Sequence, residues 1–493
     1  MGIIRNQSIK NSISFYIGMT IGAINTVIIY PNVFKDNPEY YGLIQILLAY
    51  AILISTLTNL GIPNTFVRFF PAIKEKGQLY FLSLITPLLG FVFALLSYFL
   101  FKEQLFELLN ASELLKDNFF YIILLVFFIG FYEVLTSISR SFLSATTPVF
   151  INEVFLKFYS ISVLLLYWFG YVNFTTFLQI YLFGYFLKFA ILLLIHFFNN
   201  RLTFSISLKD LQLKEMLSYG LYVLVGGISI IIVTRIDIMM IGSMLDLEQV
   251  AFYTIAFFIG NAIMVPAKSI AAISIPLIAK AWEKNDLDEI QTIYSKSSIN
   301  QLIIGGVFFL CIWLNIDAVF SLLPEKFQAG KWVVFYIGLS QLFNMSAGLN
   351  GEIIINSKYY RYDLFASVFL VFVTIATNFL FIPKYGINGA AMATAISILL
   401  FNVIRFIIIK VKMNMHPFSL KTIYTVLLLF VIYFLLYFLP NSGETFLDII
   451  GRSLAVLLIF IPLGYYLNLS EDINNLLLLS IKRINLFLFK NEN

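Results

Sequence analysis

The sequence predicts an all-α integral membrane protein with about fourteen transmembrane helices. Of its 493 residues, 60% are hydrophobic and only 12% are charged, and the mean hydropathy is +0.90. Soluble domains carry roughly 25% charged residues, so most of this chain must face lipid. Helices are the expected element, because the sequence lacks the ten-residue alternating segments of a membrane β-barrel and lipid cannot pair exposed backbone groups.

Fourteen apolar windows have the length of a membrane span. A spanning helix needs about 20 mostly apolar residues, and windows of about that length recur from the amino terminus to residue 467. We number them spans 1 to 14 in chain order: 12–33, 41–62, 79–101, 118–139, 149–170, 174–198, 217–243, 247–272, 296–317, 331–354, 364–383, 387–411, 419–439 and 446–467.

The basic residues predict the orientation of these spans, since Lys and Arg concentrate on the cytoplasmic side of membrane proteins. With the amino terminus inside, 22 of the 32 basic residues fall on inner segments and seven on outer ones. Lys157, Arg235 and Lys268 remain inside spans. We therefore expect a multi-pass protein of the plasma (inner) membrane, with an even number of spans and both termini in the cytoplasm.

The two halves of the chain resemble each other at an offset of 205 positions. Gly22 of span 1 corresponds to Gly227 of span 7, and Pro71 after span 2 corresponds to Pro276 after span 8. Such a repeat predicts two six-helix lobes around a central cavity. The predicted organisation is an N-terminal lobe at 1–198, a cytoplasmic linker at 199–216, a C-terminal lobe at 217–411, two extra transmembrane helices at 412–467, and a cytoplasmic amphipathic tail at 468–493.

The sequence lacks the signatures of several other functions. The single cysteine, Cys311, cannot form an intramolecular disulfide, and His196 and His416 do not belong to a cluster of the three or four ligands that zinc needs. No basic block of the kind that binds nucleic acid is present. Nucleotide-binding loops, nucleophile elbows and dinucleotide turns are also missing. We therefore expect a transporter rather than an enzyme, with no cofactor, no metal and no nucleic-acid partner.

Charged residues within spans are the first candidates for function, because each costs a few kcal/mol at the bilayer centre. Arg235 and Asp237 are two positions apart, about 200° around a helix. They cannot pair on one face, so at least one should face a polar cavity or another helix. Glu153 and Lys157 are spaced i, i+4 with the acid first, the favourable order for an ion pair. That pair is either a neutral packing pair or part of a binding site.

Three further charges lie in or beside spans. Lys268 lies late in span 8, where its side chain could snorkel to the inner surface. Arg68 lies between Pro63 and Pro71 near the predicted inner mouth, where it either sets the topology or contacts substrate. Glu133 lies in the inner half of span 4 and has no basic residue four positions away.

Four motifs occur in an order and spacing typical of one transporter family. They are Asn59-Leu60-Gly61-Ile62-Pro63 running on to Arg68-Phe69-Phe70-Pro71, the stretch from Tyr219-Gly220 to Arg235-Ile236-Asp237, Tyr253-Thr254-Ile255-Ala256 followed by Val265-Pro266, and Ile382-Pro383-Lys384-Tyr385-Gly386-Ile387-Asn388-Gly389-Ala390-Ala391-Met392-Ala393-Thr394. Over most of its length the chain resembles the oligosaccharide (O-antigen) flippases of the polysaccharide transport family. These belong to the superfamily of multidrug, oligosaccharidyl-lipid and polysaccharide exporters.

The resemblance implies a fold and a substrate. The fold would be two lobes around a V-shaped cavity, with two extra helices that form a groove for a lipid tail. The substrate would be an oligosaccharide on polyprenyl pyrophosphate (diphosphate), moved from the cytoplasmic to the outer leaflet for surface polysaccharide such as O-antigen, other lipopolysaccharide or capsule. The expected partners are this lipid-linked glycan, membrane lipid, a polysaccharide polymerase and glycosyltransferases.

A doubly charged diphosphate and a hydrated sugar need a polar, cationic cavity. The candidate substrate-binding residues are Arg235, Lys157, Lys268 and Arg68. An alternating-access carrier is driven only by a ligand that binds its two states with different affinity. Without a nucleotide site, that ligand is expected to be an ion on a membrane-embedded carboxylate. The candidate ion-coupling residues are Asp237, Glu133 and Glu153.

Two alternatives remain open. A multidrug or cation antiporter of the same fold would bind its cation at Asp237 or Glu133. A membrane-embedded polysaccharide polymerase or ligase would need a long outer loop with polar catalytic residues, whereas outer segments such as 170–173 are only a few residues long. Among the flippases, the lipid II transporter has arginines in its first helix. Span 1 has no charge after Lys10, which argues against a peptidoglycan precursor as substrate.

Overall fold

Helices account for the regular structure of the described chain. The computed structural model describes residues 2–201, 205–206, 211–439 and 443–488, and helices are the only regular elements within these ranges. As far as span 7, the α-helices are Gly2–Ala23, Tyr30–Val33, Pro38–Thr58, Ile62–Phe69, Lys76–Leu108, Glu113–Asn118, Phe120–Ser141, Thr146–Phe150, Leu156–Trp168, Phe174–Phe198 and Leu213–Met244. The later α-helices are Leu247–Asn261, Val265–Glu283, Leu287–Trp313, Ile316–Ser321, Lys331–Ser346, Asn350–Ile355, Tyr360–Met413, Leu420–Tyr437, Thr445–Tyr466 and Glu471–Leu488.

These helices cover all fourteen predicted spans. Spans 11 and 12 share the 54-residue helix Tyr360–Met413, which is interrupted at Gly386 with φ 57° and ψ −138°. A straight helix of that length would measure about 81 Å, against a hydrocarbon core of about 30 Å. In the described chain, twelve helical segments are long and apolar enough to cross a membrane. The predicted all-α membrane fold is confirmed, and the number of fourteen crossings stays a prediction.

The first of two compact units contains Met1–Ile255 and Asn378–Ile387. Within it, the backbones of spans 2 and 7 touch. A Cβ added at Gly61 would lie 2.1 Å from the carbonyl oxygen of Gly220. Gly61 also has a φ of 72°, a left-handed conformation that favours glycine. The Asn59-to-Pro63 motif therefore holds a close backbone contact at the point where span 2 ends.

Two neighbouring spans of the first unit contain turns of π-helix, at Ile24–Ile29 in span 1 and Ile151–Phe155 in span 5. Gly18 of span 1 lies against the second turn, since an added Cβ there would be 2.5 Å from the carbonyl oxygen of Glu153. Asn25, in the first turn, donates from Nδ2 to Ser160 Oγ at 3.1 Å. Turns of π-helix are rare and often mark functional sites. Spans 1 and 5 are therefore candidates for a functional site.

The second unit contains Ala256–Thr377 and Asn388–Asn493. Its strongest ion pair joins the start of span 11 to span 12. Arg405 binds Asp363 with two hydrogen bonds, from Nε at 2.7 Å and from Nη2 at 3.1 Å. The pair is largely buried and bidentate, the geometry in which such an interaction is strongest.

The predicted amphipathic tail contains the helix Glu471–Leu488. Its first turn is held by span 9, because Asp472 accepts hydrogen bonds from Lys296 Nζ at 3.1 Å and from Asn300 Nδ2 at 3.0 Å. Residues 489–493 of the tail lie outside the described residues. The cytoplasmic location of the tail stays a prediction.

The two units do not coincide with the two predicted lobes. Span 7 belongs to the first unit by its packing, whereas the repeat predicts that the second lobe begins at residue 217. Within the predicted linker 199–216, residues 202–204 and 207–210 lie outside the described residues. The lobes follow from a repeat in the sequence rather than from packing, and they stay a prediction.

Candidate functional site

The ion pair predicted from the spacing of Glu153 and Lys157 is present in span 5. Lys157 Nζ lies 2.8 Å from Glu153 Oε2 and donates a second hydrogen bond, of 2.9 Å, to the carbonyl oxygen of Gly18. Asn152 Nδ2 donates to the other carboxylate oxygen, Glu153 Oε1, at 3.0 Å. Both carboxylate oxygens of Glu153 therefore accept hydrogen bonds, and the Lys157 ammonium links span 5 to span 1.

A buried lysine of span 6 continues this network. Lys188 is only 5% exposed, and its Nζ donates to Asn152 Oδ1 at 3.2 Å. The ammonium lies over the rings of Tyr132 and Tyr185, at 4.5 and 4.9 Å from their centroids. Aromatic faces attract cations, so the two tyrosines partly replace the water that Lys188 has lost.

Lys188 was not among the predicted site residues, because the distribution of basic residues placed it on the inner side. Lys188 lies fourteen residues after the start of the helix Phe174–Phe198 and ten before its end. These separations correspond to about 21 and 15 Å of helix. A lysine that far from both helix ends lies within the membrane span and does not report the topology. Its distance from the span ends could therefore have identified Lys188 as a candidate site residue.

Arg235 lies in the second half of span 7, nine residues before the end of the helix Leu213–Met244. The side chain is partly buried, and among the described residues no carboxylate lies within ion-pair distance of its guanidinium. The phenols of Tyr185 and Tyr41 lie near enough to interact with it electrostatically. Arg235 is thus a membrane-embedded cation whose neighbours are phenols instead of an acid.

A cluster of tyrosines surrounds these neighbours of Arg235. The hydroxyl of Tyr30 donates to that of Tyr181 at 2.9 Å, and the ring of Tyr30 stacks on that of Tyr41 with 4.3 Å between centroids. All three of these side chains are buried. Together with Tyr185, the cluster joins spans 1, 2 and 6 beside Arg235 of span 7. Phenol hydroxyls both donate and accept hydrogen bonds, which suits them to an anion or a sugar hydroxyl.

Asp237 turns away from Arg235, as the 200° separation predicted. It is 4% exposed, and its Oδ2 accepts a hydrogen bond from the hydroxyl of Tyr253. Its Oδ1 accepts one of 2.8 Å from Nδ2 of Asn378. Both partners belong to the first unit. The carboxylate is thus held by two neutral donors, a setting in which an ion or a proton would change the local charge.

The other three predicted charges are exposed. Arg68 ends the helix Ile62–Phe69, and its Cζ lies 4.2 Å from the ring centroid of Tyr219. Glu133 of span 4 is close enough to Lys188 for electrostatic attraction. Lys268 belongs to the second unit and has no hydrogen-bond or ion-pair partner among the described residues. Their functional roles stay predictions.

A cavity of about 480 Å³ opens at the end of span 2, away from the charged network. It is lined by Phe69, Ala72, Ile73, Lys74, Glu75 and Gln212, and none of the candidate site residues lines it. Within the part of the chain that the structure describes, no group of three His, Cys, Asp or Glu side chains is placed to hold a metal ion.

The first unit thus contains three basic residues within membrane spans, Lys157, Lys188 and Arg235, and tyrosine and amide side chains lie around them. Lys157 is neutralised by Glu153, whereas Lys188 and Arg235 have no carboxylate within ion-pair distance in the described chain. Cations removed from water are unfavourable unless a counter-charge or hydrogen bonds compensate them. The arrangement is suited to binding an anion whose neighbouring groups are polar.

A family comparison covers the spans that carry this network. Residues 8–282, more than half of the chain, match the family described as polysaccharide biosynthesis protein. The chain belongs to this family. This polysaccharide biosynthesis protein is also 22% identical over 197 residues to the "Probable low-salt glycan biosynthesis flippase Agl15" of Haloferax volcanii. The match covers 39% of this chain and 42% of that relative, so the chain spans about two fifths of its length.

Solved structures share the fold at low sequence identity. The lipid II flippase MurJ in an inward closed conformation has a TM-score of 0.72 and 17% identity, covering 93% of this chain and 99% of its own. An inward-facing multidrug resistance transporter of the MATE family has a TM-score of 0.63 and 16% identity, covering 83% of this chain and 98% of its own. These structures show a shared fold, and the family match agrees with the predicted resemblance to the polysaccharide transport family.

Proposed function

We propose that this polysaccharide biosynthesis protein is a flippase for an oligosaccharide linked to polyprenyl diphosphate. It moves the lipid-linked glycan from the cytoplasmic to the outer leaflet of the plasma membrane by ion-coupled alternating access. The glycan serves a surface polymer such as O-antigen or capsule. Glycosyltransferases would supply it on the inner side, and a polymerase would consume it on the outer side.

The environment of Arg235 is the main observation that supports this proposal. A guanidinium within span 7, near two phenols and without a carboxylate partner in the described chain, favours an anionic ligand. The planar guanidinium can donate two parallel hydrogen bonds to a phosphate. A diphosphate with a hydroxyl-rich sugar next to it matches both the cation and the tyrosines of spans 1, 2 and 6.

Asp237 is the residue that we propose for ion coupling. Its carboxylate is buried between Tyr253 and Asn378, on the same helix as Arg235. Binding of a proton or a sodium ion there would remove a negative charge two positions from the substrate cation. An ion that binds the two states of the carrier with different affinity would bias alternation between them.

A cation exporter of the same fold is the competing function, and it has one observation in its favour. Glu133 is exposed within span 4, where it could attract a cationic drug. The proposed site is instead dominated by Arg235, which would repel such a substrate. Accumulation of a cationic dye in cells without the protein, and its export when the protein is restored, would favour the exporter.

The test replaces Arg235 in cells that lack the native copy of the gene. Arg235→Ala should lower surface glycan roughly ten- to a hundredfold, as expected for the loss of a hydrogen bond to a charged group. Arg235→Lys should retain part of the export. Arg140→Ala, which removes an exposed arginine at the end of span 4, is the matched control and should export normally.

Membrane abundance of each variant is measured beside surface glycan, so that loss of protein is not taken for loss of export. The same variants are then reconstituted in vesicles with lipid-linked oligosaccharide, and the glycan that reaches the opposite leaflet is detected with a lectin. Normal export by Arg235→Ala at normal abundance would remove Arg235 from the site and with it the main support for a diphosphate substrate.

A further inference from the structure

Lys188 has more hydrogen-bonding capacity than the protein uses. An ammonium group carries three N–H donors, and the structure gives Lys188 one hydrogen bond, to Asn152 Oδ1. Tyr132 and Tyr185 offer it ring faces, which attract the charge but do not accept a conventional hydrogen bond. Two donors of this buried cation therefore have no hydrogen-bond acceptor in the described chain.

The nearby carboxylates do not neutralise Lys188. Glu153 is engaged through one oxygen by Lys157 and through the other by Asn152. Glu133 is exposed and acts on Lys188 only through longer-range attraction. Among the described residues, neither of these acids comes within ion-pair distance of the Lys188 ammonium. Lys188 therefore has no carboxylate at ion-pair distance in the described chain, and Glu133 and Glu153 attract it only from farther away.

Tyr185 lies near both this cation and Arg235. The face of its ring lies against the Lys188 ammonium, and its phenol is near enough to Arg235 to interact with it electrostatically. Tyr185 of span 6 is thus a neighbour of two basic residues within spans, Lys188 on its own helix and Arg235 on span 7. All three residues belong to the first unit.

We propose that Lys188 and Arg235 form a two-cation site on either side of Tyr185, in which Lys188 makes the carrier prefer a diphosphate over a monophosphate lipid. The inference rests on the proposed function and assigns to it a residue that determines specificity. A diphosphate carries two adjacent anionic groups, and each can accept charge-assisted hydrogen bonds from its own cation. A monophosphate can satisfy only one of the two cations and leaves the other uncompensated.

Specificity of this kind is a difference between two affinities. A lipid diphosphate should bind the wild-type protein roughly ten- to a hundredfold more tightly than the monophosphate of equal chain length, the range expected for one added contact between charged groups. Removing the charge of Lys188 should lower the affinity for the diphosphate by about that factor. The affinity for the monophosphate, which can use Arg235 alone, should change much less.

The experiment measures binding of polyprenyl diphosphate and polyprenyl monophosphate to the purified full chain in lipid nanodiscs. Lys188→Gln removes the charge while keeping an amide that can reach Asn152. Lys188→Arg keeps the charge and should preserve the preference, so this variant carries the test even if the neutral variant does not fold. Lys280→Met removes an exposed lysine of the second unit and serves as the matched control.

Three results would overturn the inference. If Lys188→Gln keeps the wild-type ratio of the two affinities, Lys188 does not read the second phosphate. If Lys188→Arg loses the preference, Lys188 only shapes the site. If wild type binds neither lipid, the proposed function fails as well, which separates that failure from the first two. The inference would be supported if Lys188→Gln lost the preference for the diphosphate over the monophosphate and Lys188→Arg kept it.

Discussion

Replacing Gly61 by alanine should destabilise the first unit strongly. Gly61 follows Leu60 in the break between the helices Pro38–Thr58 and Ile62–Phe69, and both residues have positive φ, 46° and 72°. A side chain in the left-handed region costs about 1–2 kcal/mol. The added Cβ would also lie 2.1 Å from the carbonyl oxygen of Gly220, a backbone atom that cannot rotate away.

The steric part of this effect adds to the conformational part. Forcing an extra carbon into a packed interface typically costs about 1–3 kcal/mol, because neighbouring backbone must shift. The sum for Gly61→Ala is about 2–5 kcal/mol, and spans 2 and 7 would have to separate locally to accept it. Export should fall together with stability, because Arg235 and Asp237 lie on span 7.

The assay is thermal unfolding of the purified protein in detergent, with Gly227→Ala as the matched control. Gly227 lies on the same helix as Gly220, and no atom lies within 4 Å of a Cβ added there. Since alanine is favoured over glycine inside a helix by up to about 1 kcal/mol, Gly227→Ala should melt at or slightly above the wild-type temperature. Equal melting of Gly61→Ala and wild type, or equal loss in both variants, would refute the reasoning.

Two further predictions concern topology and coupling. In a Cys311→Ser background, an impermeant thiol reagent added to intact cells should label Lys116→Cys and not Lys284→Cys; the opposite pattern would invert the predicted orientation. In vesicles, wild type should flip its substrate faster under an imposed proton or sodium gradient. Asp237→Asn should lose this acceleration, and a variant that still responds like wild type would exclude Asp237 from coupling.

Hydropathy predicted the helices well because burial in lipid is a property of whole segments. About 20 apolar residues suffice to define a span, whatever the neighbours are. The i, i+4 spacing likewise predicted the Glu153–Lys157 pair, and the angular separation predicted that Arg235 and Asp237 turn to different partners. These predictions depend on the geometry of one helix, which the sequence contains.

The residues that form the site could not be predicted from the sequence in the same way. Lys188 was assigned to the inner side because the positive-inside rule counts charges near span ends without knowing where the side chain packs. Its burial depends on Tyr132 of span 4, Asn152 of span 5 and Tyr185 of span 6, and the first two of these are contacts between different helices. The turns of π-helix in spans 1 and 5 also have no simple sequence signature.

The span cations of the first unit differ in how freely they can bind a ligand. Lys157 already has a carboxylate and a backbone carbonyl as acceptors, and its pair with Glu153 is partly buried. A phosphate would have to compete with Glu153 for this ammonium. Lys188 has one neutral acceptor, and Arg235 lies near the phenols of Tyr185 and Tyr41 with no carboxylate at ion-pair distance in the described chain. An incoming diphosphate should therefore engage Arg235 and Lys188 first, while Lys157 holds span 5 against span 1.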